Sequence, residues 1–225
     1  MTITTRGLTR AAGVSAAAAG LLFIAVQINH PPMDVASVAM TDWVVRNSAK
    51  VAMAVLALIG ITGMYLRQVR QIGVLGLVGY LLLAAGYLLM FSTEVISAYV
   101  LPGLVGLAPR YVNDLVVAAA GGAPAGDIGA MQTVLAVTGL GYMVGGLVFG
   151  IAMFRARVLP RWASALLAVG TIATASLAVL PESFNRPMAV PVGVALVGLG
   201  VSLWRDPCRG DETFAAAARV EQATV

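Results

Sequence analysis

The sequence predicts an all-α fold: a polytopic membrane bundle of six transmembrane helices with both termini cytoplasmic. Three observations carry this expectation. Only 11% of the 225 residues are charged and 60% are hydrophobic, whereas a soluble domain carries about 25% charged residues. The apolar residues gather into six runs, each near the ~20 residues that cross a hydrocarbon core. The basic residues fall in alternate gaps between those runs, the pattern that sets orientation in a bilayer.

The first run is 11–28, AAGVSAAAAGLLFIAVQI, preceded by Arg6 and Arg10. A basic start before an apolar stretch also suits a secretory leader, with "ASVA" at 36–39 as the cleavage site. That site lies well past the apolar stretch and beyond Pro31 and Pro32, whereas cleavage follows the apolar stretch closely. The run is therefore read as a retained helix. The second helix is read as 41–66, starting in "TDWVV" with Thr41 as its cap. The third run, 72–100, is long enough to tilt or to project beyond the bilayer. The fourth helix is read as 131–154 with Asp127 as N-cap, the fifth as 162–180 and the sixth as 187–204. Residues 205–225 read as a loose cytoplasmic tail. Between the third and fourth runs, Pro109 marks a helix start and Gly121-Gly122 with Pro124 a stop. A short helix on the outer surface is expected there.

Arg6, Arg10, Arg67, Arg70, Arg155, Arg157, Arg161, Arg205 and Arg209 all fall in the gaps of one side. The opposite side mixes Arg46, Lys50, Arg110 and Arg186 with Asp34, Asp42, Glu94, Asp114, Asp127 and Glu182. The first side is therefore cytoplasmic. An even number of crossings returns the chain to the side it started from, so count and charge agree. Lys50 is the only lysine beside many arginines, a usage that suggests a GC-rich bacterial genome and hence the bacterial inner membrane.

Several function classes find no support. The single cysteine, Cys208, excludes an intrachain disulfide. The chain is basic, with pI near 9.6, but its cations are topology signals rather than a clustered nucleic-acid patch. There is no Gly-rich nucleotide loop, nucleophile elbow or paired-histidine zinc motif. No cofactor and no metal are expected.

The depth of the polar residues follows from the helical rise. Counted from the inner arginines, His30, Arg46 and Glu182 come out at about 30 Å and Glu94 at about 36 Å, less if tilted. They share one outer layer, because the hydrocarbon core is about 30 Å thick. Lys50 is the deepest charge, at about 25 Å, and its stem can snorkel to the same layer. The core below offers only hydroxyls, among them Thr62, Tyr80, Tyr87, Thr138, Tyr142 and Thr171. A proton pump or ion-coupled carrier needs ionisable groups partway across, so these classes are disfavoured.

Gly73, Tyr80, Tyr87 and Glu94 recur every seven residues and lie on one helix face. Lipid offers no partner to such a seam, so it should face protein. It can line an outward-opening pocket with Glu94 as end wall, or Glu94 can simply pair with Arg46 or Lys50. Asp42, Arg46 and Lys50, spaced by four, read as one charged stripe. The ligand-binding candidates are accordingly Tyr80, Tyr87, Glu94, Arg46 and Lys50. Glu94, His30 and Asp34 are the candidates for acid–base work, His30 in "INHPP" reading equally well as a helix-end residue before a proline stop. Gly141 with Gly145, and Gly146 with Gly150, are small-xxx-small pairs that permit close helix packing within the bundle or self-association.

"HPP" at 30–32, "GITGMYLRQV", "EVISAYVLP" and above all "FGIAMFRARVLPRWASALLAVG" resemble a family of uncharacterised bacterial six-helix membrane proteins. The likeness spans the chain except its tail. That family has no established activity, so the resemblance implies the helix count and no catalytic residue. Three functional expectations stand. The first is a protein that binds a small hydrophobic or lipid-like ligand, or a protein partner, at its outer face. The second is a membrane enzyme acting on a lipid or isoprenoid, with Glu94 as acid or base. The third is a carrier for an uncharged solute along Tyr80, Tyr87 and Thr138.

Overall fold

The computed structural model describes residues 3–174 and 187–205. Glu182, Arg186, Cys208, residues 206–225 of the tail and residues 175–180 of the fifth run lie outside the described residues. Among the described residues every regular element is helical. The elements are α1 (Thr5–Ala25), α2 (Val35–Val38), α3 (Thr41–Arg67), α4 (Gly73–Val95), α5 (Leu101–Leu104), α6 (Pro109–Ala119), α7 (Ala130–Ala156), α8 (Arg161–Ala173) and α9 (Val190–Arg205). A π-helical turn, Ile96–Val100, fuses α4 to α5.

Four of these helices are long and apolar enough to cross a membrane: Thr5–Ala25, Thr41–Arg67, Gly73–Leu104 and Ala130–Ala156. Two shorter apolar helices, Arg161–Ala173 and Val190–Arg205, accompany them. Large apolar side chains point outward along α4, where Val74 is 78% exposed and Leu81 and Leu88 more than half exposed. An outer surface of this kind suits lipid and not water.

The helices pack through small residues. A Cβ on Gly60 would meet Ala16, one on Gly13 the backbone of Gly200 and Trp204, and one on Gly170 would meet Val192. Gly79 lies against the backbone of Phe149, Gly86 against Tyr142 and Gly145 against Leu83. Gly146 lies against Thr171, and Gly150 against Ser164 and Ala168. Gly63 against Ala12, Gly20 against Gly193 and Gly198 against Trp162 supply second contacts, and Lys50–Glu94 with Thr62–Tyr80 join α3 to α4, so rising numbers on one helix meet falling numbers on the next and each neighbouring pair is antiparallel. Going round, α1 touches α3, α3 touches α4, α4 touches α7, α7 touches α8, α8 touches α9, and α9 returns to α1. The six apolar helices thus close a ring. Without a hydrophobic drive between helices in lipid, such close backbone approach supplies the dispersion that holds a bundle together. Gly145, Gly146 and Gly150 are therefore occupied by neighbours within the chain, and Gly141 sits in ordinary contact with Gly86.

Several boundaries differ from expectation for local reasons. Asp127 does not cap α7. Its carboxylate accepts the Gly129 N–H at 2.7 Å, closing the turn before the helix, and Gly129 takes the N-cap position at φ 61°. Thr41 is the first residue of α3, with Met40 in the cap position and no side-chain cap bond. The first helix ends at Ala25, and a turn with Asn29 in the left-handed region carries the chain to His30. The short helix expected between the third and fourth runs is present as α6, with Val112, Leu115 and Val116 buried and Gly121 at positive φ after its end.

The π turn has a readable cause. Pro102 has no N–H to give to the carbonyls before it. The Leu101 N–H passes over Ser97 and bonds Ile96 O, the widened register of a π turn. The Ser97 carbonyl is left with no helical donor, because the residue five ahead is Pro102. The indole Nε1 of Trp43 donates to it at 2.9 Å, tying α3 to the end of α4.

Candidate functional site

A cavity of about 820 Å³ lies at the ends of α3, α4 and α7 that adjoin α6. This is within the ~300–1,000 Å³ of small-molecule sites. Trp43, Asn47, Lys50 and Met53 come from α3, and Met90, Thr93 and Glu94 from α4. Leu115 and Val116 of α6 wall one side, and Met131, Leu135, Thr138, Tyr142 and Met143 of α7 another. The lining is mainly apolar, and among the described residues Lys50 and Glu94 are its only charged members.

Those two form an ion pair with Nζ 3.7 Å from Oε2. Their side chains retain 16% and 19% exposure, so the pair sits in the wall and is not sealed inside it. Lys50 Nζ also donates to Asn47 Oδ1 at 3.1 Å, and Asn47 Nδ2 donates to the Trp43 carbonyl at 2.8 Å. The chain of contacts thus runs Glu94, Lys50, Asn47, Trp43, Ser97. It returns to the helix it started from, inside the π turn.

Helix geometry explains why Lys50 leaves the stripe it shares with Asp42 and Arg46. Eight residues turn an α-helix about 80° past two full turns, whereas seven residues fall only about 20° short. Lys50 therefore points with Trp43 and Asn47 toward the cavity. Arg46 stays with Asp42, Nε to Oδ2 at 2.7 Å, and donates to the Ile28 carbonyl at 2.7 Å, which pins the chain leaving α1. Arg46 is not part of the cavity wall.

Three of the four residues of the α4 heptad seam face protein, Gly73 at the helix start being exposed. Tyr80 stacks on Tyr65 with ring centroids 4.7 Å apart, and its hydroxyl lies 3.0 Å from that of Thr62. Tyr87 meets Tyr142 edge to face at 5.6 Å, with both rings buried. Neither Tyr80 nor Tyr87 lines the cavity; Tyr142 and Glu94 do.

The other acid–base candidates have local roles. Asp34 accepts the Ser37 N–H at 2.8 Å and starts α2, and this hydrogen bond holds its carboxyl below the usual carboxylate range. His30 Nδ1 bonds the Pro31 carbonyl at 2.8 Å, and its ring packs edge-on to Trp43 at 6.4 Å. Neither lines the cavity. Among the described residues, no three His, Cys, Asp or Glu side chains gather as metal ligands.

Sequence reasoning placed Glu94 and Lys50 in this site but missed Trp43, Asn47 and the methionines. The spacing 43, 47, 50 was a legible signal, since positions i, i+4 and i+7 share a face. The methionines carried none, being indistinguishable from core residues by spacing. No family model, curated protein or solved structure matches the chain, so the reading of the site rests on its own geometry.

Proposed function

We propose that this protein spans the bacterial inner membrane six times with both termini inside, and binds a small hydrophobic or lipid-like molecule in the cavity at its outer face. The observation that carries the binding reading is the cavity itself: about 820 Å³, mainly apolar, with the Lys50–Glu94 pair and Asn47 in its wall. Apolar walls with a few convergent polar groups are the usual form of a ligand site. The six crossings draw support from the closed antiparallel ring, in which α8 and α9 lie alongside the four longer helices. The orientation draws support from the arginines that share one side.

The lipid-enzyme and neutral-carrier readings have less geometry behind them. Asp34 and His30 stand outside the cavity wall, and so do Tyr80 and Tyr87.

Native mass spectrometry of protein extracted in mild detergent tests the binding reading. The wild type is expected to carry a reproducible apolar adduct. Gly139→Phe should lose it, because Gly139 lines the cavity and a Cβ there meets nothing within 4 Å. A wild type without any adduct, or an adduct retained equally by Gly139→Phe, sinks the binding reading.

Orientation has its own measurement. Cys208 is the sole thiol, so a membrane-impermeant maleimide is expected to label it only after cells are opened. Labelling in intact cells refutes the inside C-terminus.

A further inference from the structure

We propose that the molecule held in this cavity is an uncharged amphiphile, with an apolar body and a hydroxyl or carbonyl head seated on the Lys50–Glu94–Asn47 cluster. The inference rests on the ligand-binding reading above and names the chemical class that reading leaves open.

Charge balance is the first argument. Among the described residues Lys50 and Glu94 are the only charged ones in the lining, and at 3.7 Å they cancel. An anionic head is drawn to Lys50 and repelled by Glu94 from nearly the same place. A cationic head meets the reverse. Either would surrender its hydration to an apolar wall with no net charge to compensate it. A neutral head gives up far less.

Hydrogen-bonding capacity is the second. An ammonium has three donors, and Asn47 Oδ1 takes one of them at 3.1 Å. The contact with Glu94, at 3.7 Å, is too long to be a hydrogen bond. Among the described residues, donors on Lys50 and lone pairs on Glu94 thus remain unused beside the cavity. A hydroxyl satisfies both sides at once, accepting from Nζ and donating to the carboxylate. A carbonyl satisfies Nζ alone.

The remaining wall fits the body of such a molecule. Met33, Met53, Met90, Met131 and Met143 line the cavity, and methionine is the apolar side chain that adapts most readily to an irregular partner. The edge-to-face pair of Tyr87 and Tyr142 backs it on the inner side.

Three probes with one chain length and three charges decide the matter: hexadecanol, hexadecyl phosphate and hexadecylamine. Each is titrated against the full-length protein in uncharged micelles, with binding read by displacement of the co-purified adduct and by Trp43-dependent fluorescence. Hexadecanol is expected to bind at least about tenfold tighter than either charged probe, the scale of one hydrogen bond to a charged group. Glu94→Gln leaves Lys50 uncompensated and should turn the preference to hexadecyl phosphate. Lys50→Met should turn it to hexadecylamine. If the wild type binds either charged probe as tightly as the alcohol, the inference is overturned while the cavity remains a binding site. If it binds none of the three and carries no adduct, the binding reading itself fails. The ranking on the wild type decides even where a variant does not fold.

Discussion

Gly145→Val is expected to be among the most damaging single changes in the chain. A Cβ at this position would overlap the backbone of Leu83, so the neighbour that must yield is main chain and not the tip of a side chain. The same interface is drawn tight above and below, where Gly79 meets Phe149 and Gly86 meets Tyr142. Valine can be accommodated only by moving α4 and α7 apart along their shared length. Overpacking a core that can adjust costs about 1–3 kcal/mol, and this seam has little room to adjust, so a loss of about 3 kcal/mol or more is expected. Thermal unfolding in micelles, followed by circular dichroism, reads it as a large fall in midpoint. Gly139→Ala on the same helix is the control, because its Cβ enters open space. Alanine also improves helix propensity by roughly 0.8–1.0 kcal/mol over glycine. Equal midpoints for the two variants would contradict the packing described for α4 and α7.

The second large effect is expected at the ion pair. Lys50→Met leaves the Glu94 carboxylate in an apolar wall without its counter-charge. Breaking a buried pair from one side costs about 3–5 kcal/mol. The pair retains 16% and 19% side-chain exposure, so some solvent access reduces the cost, and about 2–3 kcal/mol is expected here. Glu94→Gln strands the ammonium in the same way but leaves it the Asn47 contact, so its cost should be smaller. The double variant carries no stranded charge. It should therefore be more stable than the two single losses added together, and this non-additivity is the mark of direct coupling. Additive losses would mean that the two side chains do not sense each other.

Much of the helical layout was legible in the sequence, because apolar runs and their flanking arginines are strong signals. The third run was expected to be overlong, and it is: α4 continues through the π turn to Leu104. The register change itself was not foreseen, although Pro102 was its visible cause. The seam of Gly73, Tyr80, Tyr87 and Glu94 was expected to face protein; Tyr80, Tyr87 and Glu94 do, whereas Gly73 at the start of α4 is exposed. Its expected role as a pocket lining was only partly met. Seven residues fall about 20° short of two turns, and each seam residue meets whichever helix lies opposite at its own height. Tyr80 therefore stacks within the bundle, while Glu94 reaches the cavity. Periodicity reports a face but not what stands across from it. The same limit applies to glycine. Spacing marked Gly141, Gly145, Gly146 and Gly150 as contact points, and the structure supplies Leu83, Thr171 and Ala168 as the surfaces they meet. The pairing of Gly13 with Gly200 joins the first described helix to the last, and no local pattern could show it.

That pairing carries a consequence of its own. A circle has no privileged starting point. Since α9 docks beside α1, Thr5 and Arg205 stand at adjacent rod ends on the same rim, and a brief tether could join them. The polypeptide could then be cut open at the tight bend of residues 68–72, giving a permuted order that starts with α4 and finishes with α3 while every helix keeps both of its companions. Insertion order during synthesis would change, and the assembled barrel of rods would not.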